Sequence, residues 1–445
     1  INVNDFTNGQ TILSHGGDGF NQYNLAIDGG FLYFLTAGAN GDPGSFENGI
    51  ANVSLGSLSV IKWHHVTMTY DQESVKLYID GNLDFENEIV DYFPDFQGEF
   101  NIGRSTETYG GAFDGSIRNI QIWNVALEET EIQVYMDNPP LGNEDGLAGY
   151  WKFNSGDGDI LYDHSGNQNH GTISGAIWEE IIEGCSDPLA ENYNIESNYD
   201  DGSCSYTDNG DYSLSFDGID DHIYVDDISF DINSSWTFTS WIKPNSIYTI
   251  DNAQLASAIF STSWSGSANE NTSAIFLGRY DSDVTGIQLW RRDEFGGEYN
   301  SQNFGSLSID KWQHVAVVCE NNSATFYIDG QQLGSEEWTN GTINSTDIAL
   351  GLIRRSRAQI DNEYSGLMDN TKLFSKALNE QEIQTVMNSN GVVYENDLVV
   401  SWKFNAGNGE IVYDHSYNRN HGTIIGAAWE EIIYGCSDPL VENFN

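Results

Sequence analysis

The chain repeats itself over a long period. Lys62-Trp63-His64-His65-Val66 recurs as Lys311-Trp312-Gln313-His314-Val315, and Leu77-Tyr78-Ile79-Asp80-Gly81 as Phe326-Tyr327-Ile328-Asp329-Gly330. Trp151-Lys152-Phe153-Asn154 recurs as Trp402-Lys403-Phe404-Asn405. The offset is 249 residues for the first two pairs and 251 for the third, so small loop changes separate the copies. A period of that length gives each copy enough chain to bury its own core. Residues 151–194 and 402–445 match almost residue for residue, whereas residues 1–50 match the second copy weakly.

Within each copy the patterning is that of strands. Val66-Thr67-Met68-Thr69-Tyr70 and Val75-Lys76-Leu77-Tyr78-Ile79 alternate with period two, and Asp71-Gln72-Glu73-Ser74 supplies the turn between them. Asp80-Gly81 offers the positive-φ positions of a primed hairpin turn. With 23 Tyr, 22 Phe and 12 Trp the composition also suits pleated strands. Helical spacing is confined to residues 126–136 and 377–387, with acidic residues in the opening turn. The reading is all-β with one short helix per copy.

Charge narrows the partners. There are 67 acidic and 17 basic side chains, a formal −50, so nucleic acid is not expected as a partner and anionic membrane surfaces are poor ones. Neutral or cationic ligands and divalent cations fit better. No apolar run reaches the roughly 18 residues of a membrane span, so membrane insertion is not expected.

Cys185 and Cys204 flank the polar loop GCSDPLAENYNIESNYDDGSC, the setting of a disulfide staple in an oxidising compartment. Cys436 repeats Cys185, whereas Cys319 in HVAVVCEN reads as a small buried residue. Because the loop restarts at Gly435, the chain reads as a stretch of a longer repeating polypeptide. In the loop, Asp187, Asn192, Asn194, Glu196, Asn198 and Asp200 set out oxygen side chains at close intervals beside Gly202. That pattern fits two things: a calcium shell of six to eight oxygens, or a polar spacer built from Asx-turns.

The ordered series W-x-H-V, Y-D, L-Y-I-D-G, N-I-G-R, F-D-G-S-I-R-N-I-Q-I-W-N and E-I runs through the first copy at 63–66, 70–71, 77–81, 101–104, 113–124 and 131–132, and again in the second from Trp312. Tyr212-Ser213-Leu214-Ser215-Phe216-Asp217-Gly218 and Trp236-Thr237-Phe238-Thr239-Ser240-Trp241 extend it. Together these motifs resemble the laminin-G-like, concanavalin-A-like jelly roll in its bacterial, pentraxin-related form. The resemblance implies two tandem antiparallel β-sandwiches over 1–180 and 206–431, a disulfide-bonded acidic linker over 181–205, and the start of a second linker over 432–445. Ile1-Asn2-Val3-Asn4 aligns with Ile242-Lys243-Pro244-Asn245, so the first sandwich lacks the opening strands and is expected to expose a sheet edge.

Glycosidases of this superfamily carry an E-x-D-x-(x)-E set on one strand. Glu86-Asn87-Glu88-Ile89-Val90-Asp91 lacks that order and reads as a loop. Asp163-His164-Ser165 and Asp414-His415-Ser416 are consecutive and cannot form a relay; D-H-S-x-N-x-N-H-G reads as a strand-connecting turn. Pentraxin-like members hold calcium just after the I-L-G strand, where this chain has Ser105-Thr106-Glu107 and Arg354-Arg355-Ser356-Arg357. Arg354, Arg355 and Arg357 either pair with acidic neighbours or grip an anionic ligand. Trp264 and Trp290 are candidates for stacking on sugar rings. The expected function is a non-catalytic extracellular or cell-surface repeat module of a large adhesin or filament protein, with glycans or neighbouring copies as partners. The alternative is a calcium-dependent lectin.

Overall fold

The computed structural model describes residues 1–17, 21–37, 50–60, 62–88, 98–104, 111–226, 228, 230–247, 257–263, 272–279, 282–293, 297–339, 341, 343, 347–356, 359–389, 391–394 and 397–433. Two compact units emerge. Unit 1 comprises Ile1–Ser186 and Asn194–Ser203, and unit 2 comprises Asp187–Tyr193 and Cys204–Asn445. Among the described residues no helix is long and apolar enough to cross a membrane.

Unit 2 is a β-sandwich. One sheet runs in the order Gln331–Glu337, Ser323–Ile328, Gln313–Glu320, Trp236–Pro244, Ser365–Phe374, Tyr212–Asp217 and Ala428–Glu431, with Leu398–Trp402 also pairing Ser365–Phe374. The other runs Glu298–Asn300, Ser282–Arg292, Thr272–Arg279, Ser257–Ser263, Asp347–Leu350, His222–Val225, Gly422–Ile425 and Ile411–Val412. Alternation explains the layering. Leu214, Phe216, Phe238, Val315, Val317 and Phe326 from the first sheet meet Ile223, Phe260, Ile275, Leu277 and Leu289 from the second in one buried cluster. Cys319 is free and fully buried in it, and burial pushes its thiol well above the usual range.

Unit 1 repeats the plan with fewer strands. Its larger sheet is ordered Ile50–Ser57, Phe31–Ala37, Asn21–Asp28, Gln10–Gly17 and Glu99–Ile102, and a smaller one contains Val66–Tyr70, Ser74–Ile79 and Asn82–Glu88. Asn2 pairs with Ser116 and bridges to Trp63. Lys243 pairs with Leu367 in the same way in unit 2, where the strand Trp236–Pro244 lies between Gln313–Glu320 and Ser365–Phe374. In unit 1 only the short strand Asn2–Val3 occupies that place. Among the described residues Val66–Tyr70 therefore has a ladder on one side alone, as does Ile120–Trp123, which pairs only Leu147–Trp151.

The hairpin turns follow the sequence. Asp71 Oδ1 accepts the N–H groups of Glu73 and Ser74 at 2.9 and 2.7 Å. Asp80 and Gly81 take φ of 50° and 80°, and Asp329 and Gly330 take 49° and 72°, as the primed turn requires. The helices begin later than the sequence suggests, at Glu129–Asp137 and Glu380–Met387. Asn379 stops the second helix from starting earlier: its side chain accepts the N–H groups of Gln381 and Glu382, each at 3.0 Å. Glu382 in turn accepts the Asn379 N–H at 2.8 Å, closing a capping box. Glu86 and Glu88 lie on the strand Asn82–Glu88 rather than in a loop, because that stretch pairs with Ser74–Ile79. Glu86 is ion-paired with Lys76 at 3.2 Å, and Asp91 lies outside the described residues.

Candidate functional site

The D-H-S-x-N-x-N-H-G segment closes on its first residue. Asp414, fully buried, accepts the Ser401 and Ser416 N–H groups at 2.8 and 2.9 Å through one oxygen. Through the other it accepts the Ser416 hydroxyl at 2.6 Å and the Asn420 N–H at 2.9 Å. Asp163 repeats all four bonds with Tyr150, Ser165 and Asn169 at 2.8–2.9 Å. Burial works against the Asp163 charge, but these donors win and hold the carboxyl below its usual range. The serine thus donates to the aspartate, with no histidine interposed. A turn has formed, and no nucleophile has been activated.

The last histidine of the segment is also fixed. His421 Nδ1 accepts the Asp414 N–H at 2.9 Å, and His170 Nδ1 accepts the Asp163 N–H at 3.0 Å. A ring nitrogen that accepts carries no proton, so each neutral ring presents an Nε2–H donor. In unit 2 that donor is used: His421 Nε2 lies 2.7 Å from Asp187 Oδ2. Asp187, 3% exposed, also accepts the Tyr206 hydroxyl at 2.7 Å and the Leu189 N–H at 2.9 Å. Burial alone would raise the Asp187 carboxyl; the three donors outweigh it and lower it. Tyr206 stacks on Tyr413 at 5.3 Å and meets the edges of His421 and His415 at 5.0 and 5.6 Å. Burial and the neighbouring Lys403 push His415 down to about 4. The linker segment Asp187–Tyr193 is therefore seated on the second sandwich by a carboxylate within a cage of aromatic and imidazole rings.

Linker residues 181–186 and 194–203 belong to unit 1. Asn198 Oδ1 accepts the Ile182 N–H at 2.8 Å, its carbonyl accepts the Trp63 indole N–H at 3.1 Å, and Ser197 Oγ donates to Gly184 at 2.9 Å. Arg118 lies over Tyr199 at 4.3 Å and over Trp63 at 5.2 Å. Cys185 and Cys204 are disulfide-bonded.

Five of the six oxygen residues named as a calcium set accept hydrogen bonds from within their own unit. Asn192 Oδ1 accepts the Ser205 N–H at 2.8 Å, Asn194 Oδ1 the Glu196 N–H at 3.1 Å, and Asp200 Oδ1 the Gly202 N–H at 3.2 Å. With Asp187 and Asn198 engaged as above, five of the six face N–H or O–H donors, and Glu196 is exposed. At Asp187, Asn194 and Asp200 the bonds have the i to i+2 spacing of Asx-turns. Among the described residues the carboxylates close enough to share one ion are Asp217, Asp220 and Asp221, none of them in the linker.

Trp290 is only 8% exposed and packs with Ala258, Ala274, Phe276 and Ile353, so its indole is no surface platform. Arg354 and Arg355 lie on the strand Ile353–Ser356, opposite Gln359–Asp361. Trp264, Arg357, Cys436 and Ser105-Thr106-Glu107 lie outside the described residues. Sequence reasoning missed Tyr206, His421, Trp63 and Arg118 as linker contacts. The repeat could have signalled His421, because His170 matches it. It could not have signalled Arg118, whose counterpart is Asp369.

The family model described as the concanavalin A-like lectin/glucanases superfamily matches residues 1–133 and 217–384, more than half of the chain. The chain belongs to this superfamily. Among solved structures, a putative carbohydrate binding protein from Bacteroides ovatus is similar at 16% identity and TM-score 0.37, over 55% of this chain and 66% of that one. The heptameric SAP-like pentraxin of Limulus polyphemus is similar at 15% identity and TM-score 0.35, over 50% of this chain and 95% of its own. Domains LG4-5 of the mouse laminin α1 chain align at 12% identity and TM-score 0.27, over 85% of this chain and 83% of theirs. No curated protein matches the chain. As a concanavalin A-like protein the chain shares its fold with both lectins and glucanases, so its function has to be argued from its own residues.

Proposed function

We propose that the chain is a non-catalytic repeat module of a larger extracellular surface or filament protein, acting in adhesion or assembly. One observation carries this: the side chains that would serve catalysis are committed to holding turns and seating the linker. Asp163, Asp414 and their serines each close a turn, and His421 and Asp187 join linker to sandwich. The Cys185–Cys204 disulfide supports a site outside the reducing cytosol. Glycans and neighbouring copies are the partners such a surface would meet.

Three measurements test the proposal. A polysaccharide panel incubated with the chain should release no reducing ends, and hydrolysis of any of them overturns the non-catalytic reading. A glycan array with and without chelator separates adhesion from the lectin alternative: saturable, sugar-specific, chelator-sensitive binding would favour a calcium-dependent lectin. Thiol labelling of native material should leave Cys185 and Cys204 unmodified.

A further inference from the structure

The linker is shared between the two units. Residues 181–186 lie in unit 1, 187–193 in unit 2 and 194–203 in unit 1 again, and from Cys204 onward the chain stays in unit 2. Each stretch has its own anchor. Residues 187–193 are held by the Asp187 carboxylate, which accepts from His421 and from Tyr206, each at 2.7 Å. Residues 194–203 are held by Asn198, which accepts the Ile182 N–H at 2.8 Å and the Trp63 indole N–H at 3.1 Å. Arg118 over the Tyr199 ring at 4.3 Å adds a third contact there.

The Cys185–Cys204 bond joins the two ends of this path. Tension along the chain passes from Cys185 through sulfur to Cys204, so the 18 residues between them carry none of it. While the bond is intact the anchors are unloaded. Once it is reduced, the same tension runs through the loop and the anchors come into series with the sandwiches.

A loop held by a few separate bonds yields one bond at a time. The strand Tyr212–Asp217, which follows the linker, pairs with Ser365–Phe374 on one side and Ala428–Glu431 on the other. Pulling it from unit 2 loads two rows of ladder bonds together. Segments with few packed contacts open at lower free energy than laddered core strands. We propose that the linker is a thiol-gated extension element. It is inextensible while Cys185 and Cys204 are joined, and once they are reduced it yields as a separate step ahead of either sandwich. The reductant is a dithiol. Its two sulfurs join in a new disulfide, and the two electrons and two protons it gives up convert the Cys185–Cys204 bond into two thiols. The length gained is the contour of the freed loop, about 60 Å at roughly 3.3–3.6 Å per residue. This rests on the reading of the chain as a link in a larger surface or filament protein, where tension would arise.

The test stretches the full chain between terminal peptide tags in single-molecule force spectroscopy. Oxidised molecules should lengthen only when a sandwich unfolds. With a dithiol present, an additional step of about 60 Å should precede those events at lower force. A chain carrying both Cys185→Ser and Cys204→Ser should show that step without reductant, which separates gating from other effects of the dithiol. Adding Asp187→Ala to it should make the step at least about tenfold faster at a fixed force. Asp187→Ala with the disulfide intact should show no step before sandwich unfolding, because the anchor is then unloaded. A reduced chain that gains the length without resistance, or only as a sandwich unfolds, overturns the proposal. So does an Asp187→Ala substitution that leaves the step unchanged in the reduced chain. If the step is missing while the polysaccharide panel stays inert, only the gate falls. Hydrolysis would instead bring down the broader reading.

Discussion

Replacing Asp187 by alanine tests how the linker is seated. The substitution removes the acceptor of three bonds at 2.7, 2.7 and 2.9 Å and leaves the Tyr206 hydroxyl and the His421 Nε2–H unpaired in a nearly closed site. Hydrogen bonds to a charged group contribute about 1.5–3 kcal/mol each, and breaking a buried pair costs about 3–5 kcal/mol. Partial water entry places the net loss near ~3 kcal/mol. For a unit of this size that corresponds to a fall in melting temperature of roughly 6–12 °C, read by calorimetry at pH 7. Tyr206→Phe removes one donor and should cost about 1–2 kcal/mol. The double variant should lose less than the sum, because both substitutions break the same bond. The pH dependence gives a second check. The Asp187 carboxyl is held below its unfolded value, so its contribution is complete above about pH 4 and lost as pH falls through the folded pKa. The gap between the parent chain and Asp187→Ala should therefore close as pH falls below about 4. A gap under about 2 °C at pH 7, or one that persists unchanged down to pH 2, would refute this account of the seat.

Other expectations follow from the same geometry. Reducing the Cys185–Cys204 bond releases a loop of about 20 residues and should lower stability by about 3 kcal/mol in the chain-entropy model, measured by melting with and without a strong reductant. Adding calcium or chelator should move the melting temperature by less than about 1 °C, because the linker oxygens face N–H and O–H donors. Saturation at 100 times a dissociation constant would add about 2.7 kcal/mol, so a rise of several degrees would restore a calcium site. Asp414→Ala should cost about 3–5 kcal/mol or prevent folding, whereas Ser416→Ala should cost about 1–2 kcal/mol, both read from denaturant curves. Burial pushes Asp369 up to about 7. Its folded value exceeds its unfolded one, so stability falls as pH rises through about 7, and Asp369→Asn should be the more stable form at pH 8, by about 1–3 kcal/mol.

The strands were legible because period-two alternation survives wherever one face is buried, as in Val66–Tyr70 against Ser74–Ile79. The helix starts were misread by about three residues because Ala377-Leu378 shares the helical spacing, although Leu378 is buried ahead of the capping residue Asn379. The linker oxygens left sequence reasoning with two readings, for a different reason. Alternating Asn, Asp and Glu suits a cation shell and a run of Asx-turns equally well, and the choice depends on which N–H groups the folded loop brings near. At Asn192 and Asp200 those groups are the N–H groups of Ser205 and Gly202. The role of His421 was hidden because its partner lies 234 residues earlier in the chain.

Comparing the copies separates what the fold needs from what the joints need. His64 is replaced by Gln313, yet His64 Nε2 accepts the Ser59 N–H at 3.0 Å and Gln313 Oε1 accepts the Ser308 N–H at 2.6 Å. The acceptor is kept while the side chain changes, which marks a structural position. Arg118 is replaced by Asp369, and here the chemistry reverses. A guanidinium over Tyr199 and Trp63 gives way to a carboxyl that cannot make a cation–π contact. The side of unit 1 that holds residues 194–203 is therefore particular to the first copy. The Tyr–Asp–His–Ser turn that receives Asp187 is duplicated down to its hydrogen bonds, at 162–170 and 413–421. A duplicated turn and a duplicated DPL-x-EN segment are the two parts of the joint that recur with the repeat.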